Sequence, residues 1–271
     1  MAVQSVWQGP LEYLVAEKIT APHCFTTRLG GVSQGSLSSL NIGIHRGDQW
    51  ENVLKNYEIL GSALGFDSKN LVLSHQTHTD IVLRVGKAQA GAGLFAPELT
   101  ECDGLITNEP GVALAIFTAD CTPILLHDPV TGAVGAVHAG WRGTAASIAG
   151  KAVAAMAKEF GSKPSDIRAA IGPNIGVCCF ETDADVPNAM VEAFGEEVKP
   201  FIFPKGDKYY VNLKEINALV LRRAGVEHIE ISAECTVCQC HRFWSHRVTK
   251  GDRGSQGGII VCKNKEHQIV I

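Results

Sequence analysis

Apolar positions follow two different periods along this chain. Over residues 47–65 (GDQWENVLKNYEILGSALG) they recur at helical spacing through Val53, Leu54, Tyr57, Leu60 and Leu64, which predicts an amphipathic helix. Residues 144–160 (TAASIAGKAVAAMAKEF) predict a buried Ala-rich helix closed by Gly161 and then Pro164. Two further helices are expected over 184–194 and 212–224. Short apolar runs between them read as strands: APHCFTTR (21–28), LVLSH (71–75), IVLRV (81–85), CDGLIT (102–107), GVALAIF (111–117), PILLH (123–127), AVGAVHA (133–139), IRAAIGPNI (167–175) and GGIIVC (257–262). Helices and strands interleave without strict alternation. The pattern is α/β of the mixed α+β kind and favours a mixed sheet or two packed sheets over a barrel. No repeat, low-complexity tract or long polar linker divides the chain, so residues 1–271 are expected to form a single domain.

Composition narrows the function. The hydrophobic fraction of 45% is that of a globular chain, and the formal net charge of -4 gives no electrostatic footprint for nucleic acid or an anionic membrane. No apolar run approaches the roughly 20 residues of a membrane span. The opening MAVQSVWQGPLEYL has neither the basic nor the apolar region of a secretory signal, so a cytoplasmic location is expected. In that compartment the nine cysteines stay reduced, and clustered Cys and His become metal or catalytic candidates. No obligate protein partner is evident.

The segment 121–142 carries the clearest chemistry. PILLH and AVGAVHA flank the turn DPVTG and predict an antiparallel hairpin. Pairing His127 with Gly132 sets Cys121 directly opposite His138, with both side chains on one face. A third ligand is available from His75 or His78 in SHQTHTD, at a strand end. Three protein ligands leave a fourth tetrahedral position open, the pattern of catalytic zinc. The same Cys–His pair is also the signature of a cysteine hydrolase, with Cys121 as nucleophile and His138 as base. Downstream, Gly140-Trp141-Arg142-Gly143-Thr144 leads into the Ala-rich helix, and Arg142 at that helix start suits an anion. Arg28, in a Thr-Arg-x-Gly-Gly turn, is a second cationic candidate.

The stretches TTRLGGVS, LNIGIHRGD, HQTH, CDGLIT, TADCTPILLHDP, AVHAGWRGT, IGPNIGVCCFE, FWSHR and RGSQGGII occur in order from about residue 24 to 262. In these the chain resembles the YfiH-like family, named for its laccase domain. The resemblance implies zinc on His78, Cys121 and His138, and selects His78 over His75. It implies a layered α/β/β/α fold and purine nucleoside phosphorylase activity, with adenosine deaminase and methylthioadenosine phosphorylase activities beside it. It further implies nucleoside and phosphate as small-molecule partners. Asp103 and Asp120 are the carboxylates beside the ligands and the candidate proton shuttles. One departure stands out: the family's arginine pair after the aromatic-Ser motif is here Arg247-Val248, preceded by His246, so Arg247 alone represents that pair.

Other readings follow from the same residues. A copper-dependent polyphenol oxidase is the alternative suggested by the family's name, and copper can occupy a His-Cys-His set in vitro. None of the ten histidines forms the His-x-His pairs with which multicopper laccases gather copper. Editing of cell-wall precursors is a further role implied by bacterial members. CTVCQCH (Cys235, Cys238, Cys240, His241) has metal-binding spacing but is expected to stay as reduced thiols. Cys178-Cys179 is read at a strand end, where neighbouring side chains point apart, so packing rather than a shared metal is expected.

Overall fold

A computed structural model describes residues 3–263; the ends of the expected 1–271 domain, 1–2 and 264–271, lie outside the described residues. Two six-stranded mixed sheets stack face to face. The first runs β1 (Gln4–Gln8), β2 (Leu11–Val15), β3 (His23–Thr26), β15 (Gln256–Val261), β7 (Ala113–Thr118), β4 (Leu71–Leu73). The second runs β14 (His228–Ile231), β10 (Arg168–Ile171), β8 (Thr122–His127), β9 (Val134–Ala139), β6 (Gly104–Thr107), β5 (Val82–Arg84). Helix α1 (Trp50–Leu64) covers the outer face of the first sheet. Helices α2 (Trp141–Ala145), α3 (Ile148–Phe160), α4 (Asp185–Phe194) and α5 (Leu213–Arg223) cover the second. A short helix α6 (His246–Thr249) and a small sheet of β11 (Glu181–Thr182), β13 (Lys208–Val211) and β12 (Ile202–Lys205) lie outside this α/β/β/α sandwich.

The apolar runs explain the layering. Every inner strand is buried on both faces, so alternate residues serve different layers. In β7, Leu114 and Ile116 enter the inter-sheet core, whereas Ala113 and Ala115 meet α1. In β8, Leu125 points between the sheets, and Ile124 and Leu126 pack under the helices. Small residues on the α1 side let that helix settle close. Truncating a fully buried Leu125 to Ala in such a core costs on the order of 2–5 kcal/mol.

Two expectations are corrected, and one hairpin is added. The β8–β9 hairpin pairs His127 with Val134 and Pro123 with His138, not His127 with Gly132. Asp128 widens the turn: its carboxylate accepts from the Val130 and Thr131 N–H groups and the Thr131 hydroxyl, and its own carbonyl accepts from Gly132 N–H. Because the slip is two residues, the faces are preserved. Cys121, two positions before Pro123, therefore still shares His138's face, diagonally rather than directly opposite. The helix expected from residue 144 breaks into α2 and α3 at Ser147, whose φ is 59°. The buried Thr144 hydroxyl, within α2, accepts from Asn217 Nδ2 at 3.0 Å. The hairpin β1–β2 was not anticipated, because β1 is mostly exposed and carries little apolar signal.

Two buried imidazoles set an acid limit on stability. His23 Nε2 accepts from Ala16 N–H and Nδ1 donates to Ala21 O, both at 2.8 Å, a set that only the neutral ring satisfies. Burial, against the helping Ala21 carbonyl, lowers its pKa to about 4, and burial plus Arg168 lowers His127 to about 4. The unfolded chain binds these protons near pH 6.5, so stability is lost as pH falls from about 6.5 towards 4. Urea midpoints measured across that window are expected to fall steadily, and His127→Phe should reduce the slope.

Candidate metal centre

The chain crosses between the sheets three times at one end of the sandwich, and two of these crossings carry donors. One crossing, from β4 to β5, carries His78; the other, from β7 to β8, carries Cys121. His138, in β9, points from the second sheet into the same seam. The ligand atoms of the three residues all lie within 4.8 Å of one another, with His78 Nε2 3.8 Å from Cys121 Sγ and the two imidazole centroids 5.0 Å apart.

A buried carboxylate arranges this set. Asp103, fully buried just before β6, accepts from His138 Nδ1 at 2.6 Å and from the backbone N–H groups of Thr77, His78 and Thr79. The contact directs the His138 Nδ1 proton to Asp103 and leaves Nε2 facing the other donors. It also holds His78 in a left-handed conformation, φ 65°. Burial opposes ionisation of Asp103, but His138 and the Thr79 donors outweigh it and lower its pKa. Burial likewise opposes the Cys121 thiolate, yet His138 and His78 bring the thiol down to about 6. Burial opposes the His138 imidazolium, yet the Cys121 sulfur and Asp103 raise it to about 9.

Two further features leave room for an ion. A Cβ on Gly140 would stand 2.9 Å from the His78 ring and 3.4 Å from Cys121 Sγ, so only glycine lets this backbone pass behind the donors. Asp120, with φ 82°, turns the crossing that presents Cys121; its carboxylate accepts from the Thr236 and Ser245 hydroxyls and the Arg247 backbone N–H. Two nitrogen donors and one thiolate, with hydrogen-bonded support behind them, fit a borderline-soft ion such as zinc.

An open cavity of about 180 Å³ adjoins the donors, lined by His78, Cys121 and His138 together with Arg46, Arg253, His75, His45, Glu98 and Phe117. Arg46 and Arg253 were not anticipated. They lie in the LNIGIHRGD and RGSQGGII stretches, and nothing in local spacing places residues so far apart in sequence on one wall. Arg253 is pressed below its usual range to about 10, by burial first and then by Arg46, and its Nε has no partner. The arginines expected at the site are engaged elsewhere. Arg28 lies over the Trp244 ring at 3.9 Å and donates to Ser38 O and Cys240 O. Arg142 is exposed and rests over Trp141 at 4.3 Å on the five-residue α2. Arg247 donates to the carbonyls of Cys179 and Glu181. Asp103 and Asp120 both lie behind the donors rather than on the cavity wall.

One expectation about the other cysteines is overturned. Cys178 and Cys179 sit in a turn rather than a strand, so their side chains do not diverge, and both sulfurs meet that of Cys238.

Two packed mixed sheets between helical layers, with a His–Cys–His donor set at their seam, define the laccase-domain class of α/β/β/α proteins. The chain belongs to the family described as multi-copper polyphenol oxidoreductase laccase, whose model matches residues 22–263. It is similar to the purine nucleoside phosphorylase YlmD of Geobacillus stearothermophilus, at 41% identity over 240 residues, 87% of this chain and 86% of that protein. The purine nucleoside phosphorylase YlmD of Bacillus subtilis is 37% identical over 244 residues, 88% of this chain and 87% of that one. The crystal structure of the hypothetical protein YfiH of Bacillus licheniformis superposes with a TM-score of 0.91 at 35% identity, covering 96% of this chain and 99% of that one. Among the described residues no helix is long and apolar enough to cross a membrane.

The role of Asp103 can be isolated. Asp103→Asn places an amide among backbone donors and removes the negative partner of His138. Zinc affinity, measured by competition with a chromophoric chelator, is expected to weaken by about 10–100-fold.

Proposed function

We propose that this chain is a zinc-dependent purine nucleoside phosphorylase, converting adenosine, inosine, guanosine or methylthioadenosine plus phosphate to base and sugar 1-phosphate. Zinc is held by His78, Cys121 and His138. Adenosine deamination at the same site is a side activity. The observation that carries the reading is that the donor set shares one cavity with two guanidinium groups, Arg46 and Arg253, the second with a buried Nε that has no partner. Such a pair suits an anion, and a guanidinium fork matches phosphate. The phosphorylase names of relatives at 41% and 37% identity support phosphate as that anion.

In phosphorolysis a phosphate oxygen bonds to C1′ of the ribose while the bond from C1′ to the purine nitrogen breaks. The electron pair leaves on the base, which takes up a proton. Arg46 and Arg253 orient the attacking phosphate, and its negative charge faces the oxocarbenium-like sugar. Zinc held by His78, Cys121 and His138 would supply Lewis-acid stabilisation of negative charge in the adjoining cavity. Asp103 holds the His138 ring in register throughout and does not reach the substrate. For the proton, the wall offers His45, whose Nε2 lies 2.5 Å from Glu98 Oε1, with His75 Nδ1 3.7 Å from Glu98 Oε2. Phe117, half-buried on the same wall, offers a face on which a purine can stack. The cavity is open on one side, so part of a nucleoside would remain in contact with solvent.

The single His-Cys-His set favours zinc over the copper of an oxidase. Inosine incubated with protein of known zinc content should yield hypoxanthine only when phosphate is present; base release absent under both conditions would sink the proposal. Arg253→Met is expected to raise the KM for phosphate at least about tenfold, the size of a lost charge-assisted hydrogen bond. Adenosine deamination without phosphate should change little. A parallel loss of both activities would instead mark Arg253 as a structural support.

A further inference from the structure

We propose a second metal site in this chain: a closed, four-thiolate zinc site formed by Cys178, Cys179, Cys235 and Cys238. Their four sulfurs lie within 4.8 Å of one another, and Cys238 Sγ is 3.6 Å from Cys178 Sγ and 3.4 Å from Cys179 Sγ. Tetrahedral zinc with bonds of about 2.3 Å spaces its sulfurs by about 3.8 Å, so little adjustment is needed. The ligands come from two separate tight turns. One follows β10 and holds Cys178-Cys179; the other is the Cys235-x-x-Cys238 turn after β14.

The surrounding backbone is built for sulfur. Asn174 and Cys235 form an isolated parallel bridge that ties the two turns together, and Thr236 N–H donates to Asn174 O at 2.9 Å. Gly176 N–H donates to Cys235 Sγ at 3.2 Å. A Cβ at Gly176 would stand 3.2 Å from Cys178 Sγ and 3.3 Å from Cys235 Sγ, so glycine gives the sulfurs their space. Burial opposes the Cys235 thiolate, but backbone N–H groups of Cys238, Gly176 and Val237 bring it to about 7. Burial and the neighbouring sulfurs push Cys178 up to about 11 and Cys179 higher still. A Zn(Cys)₄ centre carries two net negative charges. The Lys214 ammonium, anchored on the carbonyls of Ser232 and Glu234 beside Cys178 and Cys235, lies close enough to offset part of them.

All four positions being protein sulfur, this ion has no open coordination position and serves structure. It locks the turn whose Thr236 hydroxyl donates to Asp120 at 2.6 Å, and the Cys179 carbonyl that receives Arg247. The two metals would thus be connected through Asp120, the neighbour of Cys121.

Metal content by elemental analysis and native mass spectrometry tests the assignment. Protein purified without added metal should carry one more metal equivalent than Cys238→Ser, and Cys240→Ser, outside the cluster, should match the unmutated chain. If Cys238→Ser fails to fold, the double variant His78→Ala/Cys121→Ser provides the second reading. It should retain one tightly bound zinc, and cadmium exchange should give a thiolate-to-metal absorption band. A double variant that carries no zinc would overturn the proposal. A mass deficit of two hydrogens, marking a disulfide at Cys238, would overturn it equally.

Discussion

The carboxylate of Asp103 is the point on which the His–Cys–His centre depends. One fully buried group receives the His138 ring proton and three successive backbone N–H groups around His78, so it sets the orientation of one donor and the chain path of another. Leaving a carboxylate unpaired in that position would cost several kcal/mol. With every acceptor direction used, the same charge becomes a fixed electrostatic anchor for imidazole and thiolate together. The supports of these donors are hydrogen bonds within the fold, which orient the His138 ring and the chain path at His78.

The proposed recognition of an anion follows a different logic. Arg46 and Arg253 line one cavity, and although Arg253 donates from Nη1 to Gly254 O and Ser255 Oγ, its buried Nε keeps a donor without a protein partner. The cations that looked suitable by local context are instead committed to aromatic faces and carbonyl oxygens: Arg28 on Trp244, Arg142 on Trp141, Arg247 on the Cys179 carbonyl. A cation's value to a ligand depends on its having no better partner within the protein, which only the folded arrangement decides.

Much of the layered fold was legible because the strands are continuous apolar runs and the turns between them carry Gly, Pro and Asp at the needed places. The metal donors were partly legible for the same reason: side-chain parity in a hairpin survives a two-residue error in register, so Cys121 and His138 still shared a face when their pairing did not hold. His78 needed the family pattern, since no spacing rule joins a strand-end loop to a hairpin in the neighbouring sheet. Residues whose proximity arises from tertiary packing were not legible. Arg46 with Arg253 is one such pair, and Cys178 and Cys179 with Cys238 another. For the latter, the alternation rule for strands was applied to a turn. Strand β1 escaped for want of an apolar face.

That His78 and Cys121 occupy two separate crossings between the sheets has a bearing on assembly. Each donor belongs to a segment that reaches its position only when one sheet has been laid on the other, and His138 arrives with the second sheet alone. Any pair of these residues can meet in a disordered chain, but the full trio exists only after docking is complete. An ion captured there is consequently the last component added, and its presence certifies that the two halves of the sandwich have closed in the correct alignment.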